Sequence, residues 1–175
     1  MEVTGITTTG ARSGRSGHQT DMSDDCTGGG GARLDRVVTR DRSREVRSVL
    51  ALVAAWAVER ADVGGVVLVG SWARDAARPD SDVDIVVLTD NQGYARVSVW
   101  TELLDGRLVR SARWGPVREI RVRRTSGLDV EVGVAPVSWA DTDPVDPGTR
   151  RVVSDGHRLL HDPAGRLAAL SAACR

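Results

Sequence analysis

The sequence contains no lysine, no phenylalanine, one tyrosine and two cysteines, so all 24 of its basic residues are arginines. The absence of lysine excludes phosphate-binding loops of the Walker type and any mechanism that needs a catalytic amine. Because aromatic residues are scarce, valine, leucine, isoleucine and alanine must fill the interior. The composition, with 41% hydrophobic and 27% charged residues, is that of a globular chain that builds its core from aliphatic side chains.

Long hydrophobic runs and an excess of one charge are also absent. The longest strongly apolar stretch, residues 49–58, is about half of the ~20 residues that a membrane-spanning helix needs. No apolar segment follows a basic start, so we expect neither a secretory signal nor a membrane span. The formal net charge is zero, so the net balance does not favour duplex nucleic acid or an anionic membrane as a partner.

The two cysteines, Cys26 and Cys174, lie near opposite ends of the chain and form no Cys-x-x-Cys pair. This spacing predicts two unpaired thiols in a reducing compartment, and we therefore expect a cytoplasmic location.

The length predicts one domain with tails. Residues 1–34 are rich in glycine, serine, threonine and aspartate, and we predict a disordered tail in which both Met1 and Met22 are candidate starts. Residues 35–172 form the predicted domain, with a motif core at 66–88, a hairpin at 116–135 and a C-terminal extension at 136–172.

Hydrophobic periodicity predicts the elements of this domain. Apolar residues at helical spacing indicate helices over residues 41–61 and 91–105, and a shorter helical stretch over 72–78. Continuous aliphatic runs at residues 66–69 and 83–88 are typical of strands buried on both faces. In the C-terminal extension we predict a short helix near 149–153, a strand at 158–161 and a final helix after Pro163.

The hairpin at 116–135 is predicted together with its register. A three-residue loop ending at Gly127 places Val122 opposite Val130 and Ile120 opposite Val132. On the polar face of the hairpin, this register places Arg123 opposite Asp129 and Arg121 opposite Glu131. A two-residue loop would mix the two faces, so the three-residue loop is preferred.

Two carboxylates follow a glycine–serine pair between the two buried strands. After Gly70 and Ser71 come about ten residues and then Asp82 and Asp84, whose alternate spacing puts both side chains on one face of a strand. Paired carboxylates repel each other unless a cation lies between them, and magnesium prefers such oxygen ligands shared with substrate phosphates. Gly70 permits a close backbone approach to a phosphate, and Arg74 lies about one turn further on.

This arrangement resembles the nucleotidyltransferase superfamily that includes DNA polymerase beta. Its signature is a hydrophobic strand, Gly-Ser or Gly-Gly, roughly ten residues, and then Asp-hydrophobic-Asp-hydrophobic. The motif covers residues 70–85 and the resemblance of fold covers 41–135. The Ser-x-Ala-Arg form at 71–74 is most similar to small stand-alone or antitoxin-type members.

The resemblance implies a third carboxylate on a neighbouring strand, which binds metal or removes the proton of the acceptor. Both Asp129 and Glu131 qualify, and we slightly favour Asp129, so that the implied metal ligands are Asp82, Asp84 and Asp129. The alternative is that both residues are structural and pair with Arg123 and Arg121 across the hairpin. Gly70, Ser71 and Arg74 are implied to hold the triphosphate.

The fold class that we expect is α+β, a small mixed β-sheet with helices packed mainly on one face. The implied activity is metal-dependent transfer of a nucleoside monophosphate, expected to be AMP from ATP with Mg²⁺ or Mn²⁺, to a hydroxyl on a small molecule, a protein or an RNA end. One alternative is an antitoxin-like protein that binds or adenylylates a helical toxin partner. Another is a degenerate domain that binds nucleotide without turnover. An exposed sheet edge makes a homodimer reasonable.

Overall fold

The computed structural model describes residues 37–175. The predicted tail over 1–34, with Met22 and Cys26, lies outside the described residues and stays a prediction. The described helices are α1 (Arg40–Val58), α2 (Gly70–Ala73), α3 (Val97–Leu103), α4 (Pro147–Ser154) and α5 (Arg166–Ala173). The strands are β1 (Val63–Val69), β2 (Val83–Thr89), β3 (Gly106–Trp114), β4 (Val117–Arg124), β5 (Asp129–Ala135) and β6 (Arg158–His161).

The six strands form one mixed sheet in the order β3-β4-β5-β2-β1-β6. Strands β2 and β5 run parallel, whereas every other neighbouring pair is antiparallel. The α+β class and the small mixed sheet are therefore confirmed. Because β2 and β5 are parallel neighbours, they begin at the same edge of the sheet, and residues near both starts lie side by side.

The larger core lies between one face of the sheet and helices α1 and α3. Thr39 caps α1 by accepting a hydrogen bond from the backbone of Arg42, and the buried stripe of the helix then follows a helical repeat. The buried residues of this stripe are Val46, Val49, Val53, Trp56 and Ala57. They pack on alternate valines and isoleucines of β2, β4 and β5, so that the core is largely aliphatic, as the composition predicts.

The other face of the sheet is covered in part by α4 and α5, which pack a smaller core against β1 and the end of β2. Leu167 and Leu170 of α5 are both buried there. The starts of β2 and β5 are left accessible on this face. None of the described helices is long and apolar enough to cross a membrane.

The hairpin prediction is confirmed in full, because Val122 pairs with Val130 and Ile120 with Val132 across β4 and β5. Strand β6 has the predicted bounds, and α4 contains the predicted residues 149–153.

Two predicted helices are shorter than expected. The helix at 91–105 is replaced by a 3-10 turn at Gln92–Ala95 followed by α3, because Arg96 is extended with ψ of 136°. The helical stretch at 72–78 ends at Ala73, and Asp75 adopts a positive φ of 56°. Strand β3 was not predicted, since it is an edge strand whose Leu108 and Val109 are both exposed and show no alternation.

Candidate active site

Three carboxylates meet at the common edge where β2 and β5 begin. Asp84 on β2 is the register partner of Glu131 on β5, and Asp82 lies just before β2. Each of the three offers one oxygen, and these oxygens all lie within 4.8 Å of one another. Within residues 37–175, this is the one group of acidic, histidine or cysteine side chains close enough to hold a metal ion. Clustered carboxylate oxygens are the ligands that hard divalent cations prefer.

The charges at this edge are poorly compensated. Burial, together with the nearby charges of Asp82 and Glu131, raises the pKa of Asp84 to about 7. Burial also raises the pKa of Glu131. A divalent cation would supply the positive charge that these carboxylates lack, so the residues present fit such a group.

The guanidinium of Arg121 on β4 lies against two of the three carboxylates. Its Nη2 is 2.7 Å from Oδ2 of Asp82, and its Nε donates a hydrogen bond of 2.9 Å to Oε2 of Glu131. The predicted pairing of Arg121 with Glu131 is therefore present. Any cation that binds the three carboxylates competes with this guanidinium for Asp82 and Glu131.

Asp129 is the third ligand that the sequence slightly favoured. It lies two residues before Glu131 on β5, and its carboxylate has a different arginine partner. Both of its oxygens accept hydrogen bonds of 2.7 Å from Arg123, which holds the pKa of Asp129 below its usual value. The pairing of Arg123 with Asp129 is thus the one expected from the hairpin register. Asp129 is not in the cluster of three, so the geometry favours Glu131 as the third ligand, although the choice between them stays a prediction.

Gly70 joins β1 to α2 directly beside Asp84. Its φ is +71°, and a Cβ built on it would lie 2.1 Å from Oδ2 of Asp84. Both the backbone conformation and the close approach therefore require glycine at this position. Ser71 follows at the start of α2, so the glycine–serine pair and the carboxylates share one edge of the sheet, as the motif predicts.

Arg74 lies at the end of α2, and its charge offsets a small part of the rise in the pKa of Asp84. Its Nη1 is 3.0 Å from Oδ2 of Asp155 at the end of α4. The Arg74 side chain is 41% exposed and that of Asp155 is 69% exposed, so this pair is a weak, solvated one that another anion can displace.

A cavity of about 310 Å³ opens beside the carboxylates, over the face of the sheet that α4 and α5 leave accessible. Asp84 and Glu131 line one end, and Trp114 and Trp139 contribute large aromatic surfaces to its walls. Glu119 also lines it; this residue is 6% exposed, bonds with Arg110, and accepts a hydrogen bond of 2.6 Å from Nε1 of Trp114.

Sequence reasoning missed Trp114, Trp139 and Glu119 as site residues. Trp114 ends the unpredicted strand β3, and Trp139 lies in an unpredicted 3-10 turn, Val137–Ala140. The usable signal was the alternation along β4, which puts Glu119 on the same face as Arg121.

Comparisons with known proteins point to one family. The family model described as a nucleotidyltransferase domain matches residues 54–129, which include Gly70, both motif aspartates and Asp129. No curated protein sequence matches the chain at a significant level.

Several solved structures are distantly similar. Cid1 in complex with its short product ApU has 18% identity and a TM-score of 0.44, with 58% of this chain and 33% of that chain covered. A cytoplasmic RNA terminal U-transferase has 20% identity and a TM-score of 0.44, with coverage of 58% and 33%. The polymerase core of the RNA surveillance complex TRAMP has 20% identity and a TM-score of 0.40, with coverage of 55% and 32%. The chain thus matches about a third of the length of each of these proteins, and likenesses this distant transfer no substrate or partner to it.

We predict that Gly70→Ala lowers the free energy of unfolding by about 1–3 kcal/mol, because it combines a strained φ with a clash against Asp84. It should also weaken metal binding. Gly127→Ala is the matched control, since Gly127 has a φ of +83° but nothing within 4 Å of a built Cβ. Denaturant unfolding and Mn²⁺ titration measure both effects. Equal loss of metal affinity in the two variants would contradict the close approach of Gly70 to Asp84.

We also predict that Arg121→Gln tightens Mn²⁺ binding in the absence of nucleotide. A unit positive charge about 4–5 Å from a divalent cation contributes roughly 2–7 kcal/mol of repulsion between the limits of water and a protein surface, so the dissociation constant should fall at least about tenfold. Arg107→Gln on β3 removes the same charge at an exposed position and serves as the control. An unchanged or weaker affinity in Arg121→Gln would mean that the guanidinium does not compete with the cation.

Proposed function

We propose that this chain transfers a nucleoside monophosphate from a nucleoside triphosphate to an acceptor hydroxyl, because residues 54–129 match the family model of a nucleotidyltransferase domain. The observation that supports it best is the cluster of Asp82, Asp84 and Glu131 beside Gly70 at one sheet edge. In the reaction, the acceptor oxygen bonds to the α-phosphorus, and the bond from that phosphorus to the bridging oxygen of the β-phosphate breaks. Pyrophosphate leaves and the acceptor loses its proton.

Asp82, Asp84 and Glu131 are the residues that would hold divalent metal, for which we propose Mg²⁺ or Mn²⁺. Metal bound there would neutralise the charge that develops on the phosphate oxygens. Asp84 comes from the sheet itself, and its carboxylate is fixed against Gly70, so the ligand set is organised by backbone geometry more than by flexible loops.

Gly70, Ser71 and Arg74 are proposed to hold the triphosphate. Gly70 lets the chain pass close to Asp84, so phosphates that share a cation with Asp84 also contact the backbone at the start of α2. Ser71 adds a hydroxyl donor. Arg74 supplies a positive charge that can exchange its exposed partner Asp155 for a phosphate oxygen.

The acceptor is proposed to approach from the side of Glu131. In-line displacement puts the entering oxygen opposite the leaving pyrophosphate. If the leaving group lies toward Gly70 and Ser71, the hydroxyl enters over β5, where Glu131 lies and where the cavity walled by Trp114 and Trp139 begins. Glu131 is therefore also proposed to take up the proton of the acceptor.

ATP is the proposed nucleotide, and the acceptor is a small molecule, a protein or an RNA end. The antitoxin-like protein with a helical toxin partner, the homodimer and the cytoplasmic location stay predictions. The alternative of a degenerate domain predicts a different experimental result, because such a domain would bind nucleotide with metal and release no pyrophosphate.

The first test is pyrophosphate release from the four ribonucleoside triphosphates with Mg²⁺ or Mn²⁺, with candidate acceptors added in turn. We expect Asp82→Asn/Asp84→Asn to lose at least about a hundredfold of the wild-type rate, because two of the three proposed metal ligands are neutralised. Asp80→Asn is the matched control, since Asp80 is an exposed aspartate of the same loop outside the cluster. Metal-dependent release that persists in the double variant would reject the assignment.

The second test separates the two candidates for the third carboxylate. Glu131→Gln should lose on the order of a hundredfold or more of the rate, because it removes a proposed metal ligand. Asp129→Asn should lose less than tenfold, because Asp129 is already neutralised by Arg123. Steady-state rates at saturating metal, with circular dichroism to confirm folding, measure the difference. The reverse order of losses would make Asp129 the third ligand.

A further inference from the structure

Two arginines face each other beside the turn of the β3–β4 hairpin. Arg113 on β3 and Arg118 on β4 are direct register partners in the antiparallel pair. Like charges directly opposite each other destabilise a sheet unless an anion lies between them. Four other arginines of the hairpin are paired with carboxylates, as listed here: Arg110, Arg121, Arg123 and Arg124. Among residues 37–175, no carboxylate pairs with Arg113 or Arg118.

The two side chains line a cavity of about 230 Å³. Its other polar walls are Thr89 at the end of β2 and Gln92 in the 3-10 turn, and no acidic residue lines it. The Nε of Arg118 is buried and has no hydrogen-bond partner within the described part of the chain. Leaving a buried donor of a charged group without a partner destabilises the folded state. A hydrogen-bond acceptor bound in this cavity would therefore stabilise it.

The cavity is separate from the candidate active site. Residues alternate along β4, so Arg118 is on the same face of the sheet as the buried Ile120, toward α3, whereas Glu119 and Arg121 are on the opposite face. Glu119 is committed to Arg110 and Trp114 on that opposite face. Asp90 directly follows Thr89 in the chain, and its Oδ1 accepts a hydrogen bond from the backbone of Val137.

We propose that Arg113 and Arg118 form a binding site for a tetrahedral oxyanion, with the phosphate group as its ligand. A phosphate oxygen would satisfy Nε of Arg118, and the charge of the anion would offset the repulsion between the two guanidinium groups. Guanidinium groups bind phosphate through two parallel hydrogen bonds, which a single halide ion cannot reproduce. The phosphate is either a free ion or one phosphate of a polynucleotide backbone.

The test is thermal unfolding of the full chain with sodium phosphate against sodium chloride at equal ionic strength, with EDTA to keep divalent metal away. Wild type should show a saturable rise in Tm of a few degrees with phosphate, and Arg118→Gln and Arg113→Gln should lose most of it. Without phosphate, Arg118→Gln should unfold no earlier than wild type, since it removes a like-charge contact and a buried charged donor. Arg107→Gln, an exposed change on the same strand, should respond as wild type does.

Phosphate that binds near Gly70 instead would raise the Tm of wild type and Arg118→Gln equally, and that result would overturn the proposal. No rise in wild type would overturn it as well. Because this readout needs neither metal nor turnover, it is independent of whether the chain transfers nucleotides.

Fluorescence anisotropy of a labelled single-stranded RNA then distinguishes the two sources of phosphate. If the site takes a backbone phosphate, Arg118→Gln should weaken RNA binding severalfold and reduce the slope of log affinity against log salt by about one. If RNA binding is unchanged while the Tm response to phosphate is lost, the ligand is the free ion.

Discussion

The parallel pairing of β2 with β5 is the constraint on which the candidate site depends. Parallel neighbours begin at the same edge of a sheet, and the register sets Asp84 against Glu131. An antiparallel arrangement of these two strands would put the start of β2 beside the end of β5 and separate the two carboxylates by the length of a strand. The sheet order, with β5 inserted between β4 and β2, is therefore what turns two distant sequence segments into one acidic cluster.

Concentrating carboxylates in this way has an electrostatic cost, and the chain offsets it with guanidinium groups. Arg121 contacts Asp82 and Glu131, and Arg123 neutralises Asp129. Among residues 37–175 no arginine forms an ion pair with Asp84, and the pKa of Asp84 is raised to about 7. The distribution separates the residues by role: both oxygens of Asp129 are held by Arg123, whereas Glu131 shares the guanidinium of Arg121 with Asp82 and Asp84 forms no ion pair among residues 37–175. The same reasoning explains why the geometry favours Glu131 over its neighbour on β5.

Much of this could be predicted from the sequence, because the informative features are local. The motif spacing located Gly70, Asp82 and Asp84, and the alternation of Ile120 and Val122 with Arg121 and Arg123 fixed the hairpin register. The choice between Asp129 and Glu131 could not be made, since it depends on which β5 residue lies beside Asp84, and that follows from a strand pairing between segments far apart in the chain.

The hydrophobic pattern of the sequence did not predict strand β3 for a related reason. An edge strand exposed on both faces has no alternation to detect, so Trp114 at its end could not be placed beside the carboxylates.

The net charge of zero conceals a strong segregation of charge. Strands β3 and β4 and their turn carry seven arginines, Arg107, Arg110, Arg113, Arg118, Arg121, Arg123 and Arg124, and a single acidic residue, Glu119. The opposing carboxylates lie on β5, on β2 and just before β2, so the two charge sets meet across the sheet and largely cancel there. The two charges are balanced where Arg123 bonds with Asp129, and the charges are unbalanced at two other places on the sheet. On one face of the sheet the carboxylates exceed the arginines beside Asp84, and on the other face no acidic residue of the described range 37–175 pairs with Arg113 or Arg118. The proposed cation site and the proposed anion site, on opposite faces of one sheet, are thus two consequences of the same uneven pairing.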